Sequence, residues 1–220
     1  MLVPVNEPRS ARKDLVDALV REGHIRTAAV ERAFRAVPRE RFVTEDLHRQ
    51  AYYDTPLPIP LGQTISAPSM IAIMLEEADL GAGQKVLDVG TGSGYNAALL
   101  SEIVGSANVV SVERHADLAN FARHNLASAG YAGVRLAVAD GTLGYEPEAP
   151  YDRIVVTAGA PRLARSWVRQ TKVGGRIVAP IGRSTFSQVL VIATKTAEDR
   201  VVEREGTPCA FVPLVGKEGW

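Results

Sequence analysis

Residues 86–95, VLDVGTGSGY, constrain the fold of this 220-residue chain more than any other segment. Four mostly apolar residues run directly into three glycines at alternate positions, Gly90, Gly92 and Gly94. An apolar pattern with helical spacing begins immediately afterwards. This order predicts a buried strand, a tight glycine-rich turn and a helix, which together form the first unit of a doubly wound α/β fold. Glycine suits such a turn where a ligand approaches the backbone or where φ is positive.

Three residues indicate which ligand the turn binds, if it binds one. A dinucleotide-binding turn has the pattern G-x-G-x-x-G, but the position of its third glycine is occupied here by Tyr95. Asp88 lies inside the strand, where a carboxylate would repel a pyrophosphate and would suit an ammonium group. Glu113 ends the next apolar strand, where an acidic side chain accepts hydrogen bonds from a ribose diol. An adenosine joined to an amino acid meets all three conditions, so the sequence predicts S-adenosylmethionine as the cofactor.

Composition excludes several classes of partner. Lys plus Arg and Asp plus Glu number 25 each, so the formal net charge is zero and nothing predicts electrostatic binding to nucleic acid or to an anionic membrane. Cys209 is the single cysteine, which excludes an intrachain disulfide and fits a reducing compartment. No segment has the apolar length of a signal peptide or a membrane span. We therefore expect a cytoplasmic, monomeric protein without nucleic-acid or membrane partners.

The remaining pattern predicts one domain over residues 1–220. Residues 1–50 form its helical flank, with helices between 11 and about 46, and residues 84–220 form the cofactor-binding sheet core with antiparallel C-terminal strands. Between them, residues 51–70 form a substrate and active-site loop, since the three prolines of 52–62 oppose both a helix and a central strand. The polar run 195–205 is expected to be an exposed connection, and 209–216 a final apolar strand and turn.

Several further residues are candidates for a site. Ser66 precedes a helix that starts near Pro68, so local sequence favours an N-cap role for its hydroxyl. Asp140, followed by Gly141 at the carboxyl end of a strand, fits either an acceptor for the adenine amine or a surface turn. Ala158 belongs to a small-residue loop that would flank the reactive end of the cofactor. The four histidines have no metal-ligand spacing and no nucleophile elbow is present, so we expect no metal and no hydrolase triad.

Four longer segments carry a resemblance to a known family. AVPRERFV (36–43), AYYDTPLPIPLGQTISAPSMIAIMLE (51–76), DGTLGYEPEAPYDRIVVTAGAP (140–161) and FVPLVGKEGW (211–220) resemble the protein-L-isoaspartate O-methyltransferases. The resemblance extends from about residue 12 to residue 220. Its QTIS segment and VPL ending are more specific than the glycine motif, which by itself indicates only a class I methyltransferase. One departure is Ser69, where the family often has a larger His or Tyr.

The resemblance implies roles for particular residues. Ser66 becomes the active-site residue, a role that can coexist with helix capping. The implied cofactor-binding residues are Asp88, Gly90, Thr91, Gly92, Ser93, Gly94, Glu113, Asp140 and Gly141. The implied substrate-binding residues are Thr64, Ile65, Ser66, Ala158, Val212 and Leu214.

The resemblance also implies a reaction. The free α-carboxylate of an isoaspartyl residue would take the methyl group of S-adenosylmethionine, leaving S-adenosylhomocysteine, and the ester would collapse to a succinimide in the repair of aged proteins. A carboxylate with a pKa near ~4 is ionised at pH 7 and needs no general base. Three alternatives stay open: a relative that methylates a normal aspartate of a dedicated partner, a nicotinamide oxidoreductase, and a non-catalytic S-adenosylmethionine-binding module.

Overall fold

The computed structural model describes residues 8–184, 187–198 and 200–220. Its α-helices are α1 (Pro8–Arg21), α2 (Ala28–Ala36), α3 (Pro68–Ala78), α4 (Tyr95–Val104), α5 (Ala116–Ser128) and α6 (Arg165–Gln170). Its strands are β1 (Leu57–Ile59), β2 (Gln63–Ile65), β3 (Val86–Val89), β4 (Val109–Glu113), β5 (Arg135–Val138), β6 (Tyr151–Val156), β7 (Thr171–Ser184), β8 (Ser187–Ala197) and β9 (Arg200–Cys209). None of the helices in these residues combines the length and apolarity that crossing a bilayer requires.

Seven strands form one sheet in the order β5-β4-β3-β6-β7-β8-β9. The first five are parallel, and β8 and β9 continue the sheet in antiparallel pairing. All residues of β3 are buried because helices cover both faces of a parallel sheet. The chain proceeds outward from β3 to β5 and then returns to place β6 on the other side of β3. The predicted doubly wound fold with antiparallel C-terminal strands is confirmed, and the order reverses between β3 and β6, where such folds bind ligands.

The helical flank packs on the sheet through α3 and α4. Glu76 on α3 fixes the start of α2, because one of its carboxylate oxygens accepts hydrogen bonds from the Arg26 and Thr27 amides at 2.8 and 2.9 Å. Phe34 of α2 contacts the Tyr95 ring edge-on. Helices were expected up to about residue 46, but the chain after Pro38 forms two 3₁₀ turns, Arg39–Phe42 and Glu45–Gln50.

Three segments differ from the sequence-based expectation. The proline-rich loop contains a two-stranded hairpin of β1 and β2, which tolerates Pro58 because a two-stranded ribbon leaves one side of each strand unpaired. The polar run 195–205 belongs largely to β8 and β9; its charged residues belong to the edge of the sheet, where charge prevents further strand pairing. Cys209 ends β9, and residues 210–216 form no further strand, only an isolated bridge between Pro213 and Gly159.

Gly94 and Gly130 offer a matched test of packing between α4 and α5. Both have left-handed backbones, with φ of +92° and +94°. A Cβ at Gly94 would lie 3.0 Å from Leu126 Cγ, whereas nothing lies within 4 Å of one at Gly130. We expect Gly130→Ala to lower the free energy of unfolding by about 1–2 kcal/mol and Gly94→Ala to lower it further. Urea unfolding measures both, and equal losses would contradict close packing at Gly94.

Candidate functional site

A cavity opens at the carboxyl ends of β3, β4 and β6, where the strand order reverses. The glycine turn, the end of β4 and the segments 63–66 and 212–215 all line it. Ten predicted site residues besides the turn glycines line it: Thr64, Ile65, Ser66, Thr91, Ser93, Glu113, Gly141, Ala158, Val212 and Leu214. Gly90 and Gly92 line it as well. Within the described residues, no cluster of three or more His, Cys, Asp or Glu side chains could hold a metal ion.

The glycine turn is held in place by hydrogen bonds to Thr157 and to strand β4. Gly90 and Gly92 have φ values of +92° and +55°, and a Cβ at Gly90 would lie 3.1 Å from Thr157 Oγ1. The Thr157 hydroxyl donates to the Gly90 carbonyl at 2.8 Å. The amides of Gly90 and Thr91 donate to the carbonyl of Val112 on β4. The sequence forms this turn because glycine alone combines positive φ with so close an approach of neighbouring groups.

Glu113 takes another of the turn's amides. Its Oε2 accepts from the Gly92 amide and its Oε1 from the His115 amide, both at 3.1 Å. The Gly94 amide donates to the Thr91 carbonyl. A phosphate-binding turn directs such amides at its ligand, but here they are used inside the protein. The turn and its carboxylate therefore fit a ribose and a linker without phosphate better than a pyrophosphate.

Asp88 does not reach the cavity wall, so the expectation of direct contact with an ammonium group is corrected. It is fully buried behind the turn, where its two oxygens accept from Asn96 Nδ2 at 2.7 Å and from Ser111 Oγ at 2.6 Å. Burial raises the pKa of Asp88 to about 6, although both hydrogen bonds favour the ionised form. Asn96, which the sequence did not single out, lines the cavity instead.

Gly94 and Asp140 also lie away from the wall. Gly94 caps the start of α4 and packs against α5, and it does not line the cavity, so its predicted cofactor contact stays a prediction. Asp140 accepts from the amide and hydroxyl of Thr142 and, through its other oxygen, from the Lys217 amide at 2.9 Å. Partial burial opposes ionisation, but these hydrogen bonds outweigh it and lower the pKa of Asp140. Its contact with adenine stays a prediction, while its neighbour Gly141 does line the cavity.

Ser66 lies where the cavity meets a second groove. Thr64, Ser66, Thr157 and Val212 border both spaces, and Pro56, Met70 and Phe211 are among the residues of the groove alone. The N-cap interpretation of Ser66 is wrong, because α3 is preceded by Ala67 and has no side-chain cap there. Asp54 accepts from the Ser69 amide at 2.8 Å instead. Among the described residues, the Ser66 hydroxyl has no hydrogen-bond partner, so it is available to a ligand.

Arg39 supports the loop beside Ser66 and was not identified from the sequence. Its guanidinium is fully buried, donates to the carbonyls of Ala51 and Thr55, and lies 5.0 Å from the centre of the Tyr95 ring. Burial lowers the pKa of this guanidinium. The segment AVPRERFV contains Arg39, but nothing in the local pattern shows that an arginine between charged neighbours is buried.

The C-terminal segment is anchored over the cavity by hydrogen bonds. The Gly159 amide donates to the Val212 carbonyl at 2.8 Å, and the Leu214 amide returns a bond to the Gly159 carbonyl at 2.7 Å. Gln188 on β8 accepts from the Phe211 amide. These contacts place Val212 and Leu214 at the cavity, as the sequence predicted.

The fold and the glycine turn define a class I methyltransferase, with a cavity shaped for an adenosine linked to an amino acid. The family model described as protein-L-isoaspartate(D-aspartate) O-methyltransferase matches residues 10–219. The chain belongs to this family.

Curated relatives and solved structures agree with that membership. Protein-L-isoaspartate O-methyltransferases of Hyperthermus butylicus and Methanopyrus kandleri are each 51% identical to 96% of this chain, covering 91% and 94% of their own lengths. A Plasmodium falciparum beta-aspartate methyltransferase, in complex with S-adenosyl-L-homocysteine, superposes with a TM-score of 0.82 at 28% identity, covering 93% of this chain and 98% of that one. A second protein-L-isoaspartate O-methyltransferase structure superposes with a TM-score of 0.85 at 31% identity, covering 94% of this chain and 67% of that one.

The raised pKa of Asp88 predicts a pH-dependent stability of the protein without cofactor. Asp88 binds its proton more tightly when folded (pKa about 6) than at its ordinary value of 3.8, so its contribution to stability falls as pH rises from 4 to 6. Asp88→Asn lacks this ionisation. Relative to wild type, the variant should therefore gain roughly 3 kcal/mol between pH 4 and pH 7. Urea unfolding at each pH measures the difference, and parallel profiles would contradict the shift.

Proposed function

We propose that this protein transfers the methyl group of S-adenosylmethionine to the free α-carboxylate of L-isoaspartyl residues in peptides and proteins. Family membership supports the reaction. The observation that locates the reaction is the Ser66 hydroxyl, which has no hydrogen-bond partner among the described residues and lies where the cofactor cavity meets the groove. A carboxylate bound in the groove enters the cavity past Thr64, Ser66 and Thr157, and the Thr157 hydroxyl already donates to the carbonyl of Gly90.

The cofactor supplies a methyl group on a positively charged sulfur. The protein's residues have to position the substrate carboxylate against it, because the carboxylate is already ionised at pH 7 and no general base is required. Ser66 and Thr64 are placed to donate hydrogen bonds to carboxylate oxygens, which fixes the direction of approach. Gly90, Gly92 and Glu113 hold the adenosine part.

Apolar residues around the junction keep water away. Ile65, Val212 and Leu214 line the cavity on both sides of Ser66, and Phe211 continues the apolar surface into the groove. Methyl transfer between an anion and a cation gives neutral products, so removing water from both reactants lowers the barrier. The C-terminal segment thus contributes to catalysis by excluding solvent.

The product ester would collapse to a succinimide that hydrolyses partly to normal aspartate, so the biological role we infer is repair of aged proteins in the cytoplasm. The groove is open at the surface, which favours flexible, exposed segments as substrates. The balanced charge of the chain supports the absence of a nucleic-acid partner. We propose that a single copy of the chain carries the complete site, since the cavity and the groove beside Ser66 are both formed within it.

Transfer of labelled methyl groups to two peptides tests this function. The peptides are identical except that one has an isoaspartyl and the other a normal aspartyl linkage. We expect base-labile label in the isoaspartyl peptide alone. Label in the aspartyl peptide would instead favour a methyltransferase that modifies normal aspartate, and label in neither, with S-adenosylhomocysteine still bound, would favour a binding module.

Substitution of Ser66 tests its assigned role. Ser66→Ala should lower kcat for the isoaspartyl peptide by about tenfold to a hundredfold, the value of a hydrogen bond to a charged group. Affinity for S-adenosylhomocysteine should stay nearly unchanged, as measured by calorimetry. Ser66→Thr keeps a hydroxyl and should retain more activity than the alanine variant. A large loss of cofactor affinity in Ser66→Ala would refute the assignment.

A further inference from the structure

Asn96 is a buried residue of the cavity wall with one unpaired polar atom. It is the second residue of α4, is 6% exposed and lines the cavity. Its Nδ2 donates to Asp88 Oδ1 at 2.7 Å, whereas its Oδ1 has no hydrogen-bond partner among the described residues. A buried acceptor left unpaired costs about 1–3 kcal/mol, so a ligand that supplies a donor here would recover that cost.

The neighbouring carboxylate determines which way the amide is oriented. An ionised carboxylate only accepts hydrogen bonds, so Asp88 has to face the NH₂ group of Asn96 and not its oxygen. Asp88 itself cannot turn, because Ser111 holds its second oxygen. The amide oxygen of Asn96 is therefore held away from Asp88 by charge and geometry together.

The charges around Asn96 favour a cationic donor. Asp88 is fully buried, and its side-chain partners, Asn96 and Ser111, are both neutral. Glu113, whose charge also acts on Asp88, is acidic as well. The guanidinium of Arg114, a basic residue of the cavity wall, donates to the Val215 carbonyl and not to Asp88. Two carboxylates near one wall thus create a negative potential that a ligand cation would neutralise.

We propose that Asn96 Oδ1 accepts a hydrogen bond from the α-ammonium group of the cofactor, and that Asp88 is the positioning residue that orients Asn96. Asp88 then acts on the ammonium group through Asn96 and its charge, and does not touch it. This inference rests on the cofactor being S-adenosylmethionine, and it assigns the end of the cavity that receives the amino-acid part.

Two ligands that differ in the amino-acid part separate this role from a structural one. S-adenosylhomocysteine carries the ammonium group, whereas 5′-methylthioadenosine keeps the adenosine and sulfur and lacks the amino acid. Calorimetry at pH 7.5 should show Asn96→Ala raising the Kd of S-adenosylhomocysteine by about tenfold to a hundredfold. The Kd of 5′-methylthioadenosine should change less than about twofold, since that ligand has nothing to offer Asn96.

Asn125→Ala is the matched control variant. Asn125 is equally buried and donates to the Ser93 carbonyl of the glycine turn, but it does not line the cavity. Its loss should lower the melting temperature without changing the ratio of the two Kd values. Asp88→Asn should change that ratio in the same direction as Asn96→Ala, because the Asn96 amide is then free to turn.

The outcomes are distinct. Equal weakening of both ligands by Asn96→Ala, or no weakening of either, would overturn the ammonium site while leaving the proposed function intact. A change of ratio in Asn125→Ala as large as in Asn96→Ala would also overturn it. Wild-type protein that binds neither ligand would overturn the cofactor assignment, and the ammonium site with it.

Discussion

One buried carboxylate connects the parts from which the cofactor cavity is built. Asp88 in the central strand accepts hydrogen bonds from Asn96 at the start of α4 and from Ser111 in the neighbouring strand β4. Ser111 Oγ lies 2.6 Å from Thr91 Oγ1, which extends the network into the glycine turn. Because a buried charge is tolerated only with such partners, the strand, turn and helix are held in one relative arrangement. The positions of Gly90, Gly92 and Glu113 depend on that arrangement.

Other carboxylates hold the structure together in a different way, by accepting from backbone amides of distant segments. Asp54 accepts from the Ser69 amide, and Glu76 accepts from the amides of Arg26 and Thr27. Glu113 accepts from the Gly92 amide, Asp140 from that of Lys217, and Glu218 from that of Arg165. Each of these carboxylates accepts from an amide that has no partner within a helix or sheet, and so joins that amide's segment to its own. The chain's many acidic residues are thus partly structural, although its net charge is zero.

The sequence predicted those features of the fold and site that depend on residues close together in the chain. The glycine turn and the acidic end of β4 were located correctly because strand, turn and helix signals lie within a few residues of each other, whereas the QTIS segment was located through the family resemblance. The destinations of Asp88 and Asp140 were not predicted, since a carboxylate's partner depends on chain segments far away in sequence. Asp140, for instance, is paired with the amide of Lys217. Burial of Arg39 and the exposed edge strand β9 escaped prediction for the same reason, because tertiary neighbours decide both.

The anchoring of residues 212–215 over the cavity has a consequence for synthesis of the protein. Translation proceeds at ~5–20 residues per second, so the glycine turn leaves the ribosome roughly ten seconds before the wall that covers it. A nascent chain can form β3, α4 and β4 during that interval, but its cavity stays open to solvent on the side of Val212 and Leu214. The cofactor therefore meets a closed pocket only after the C-terminal segment has been made, which places acquisition of the cofactor after folding of the sheet core.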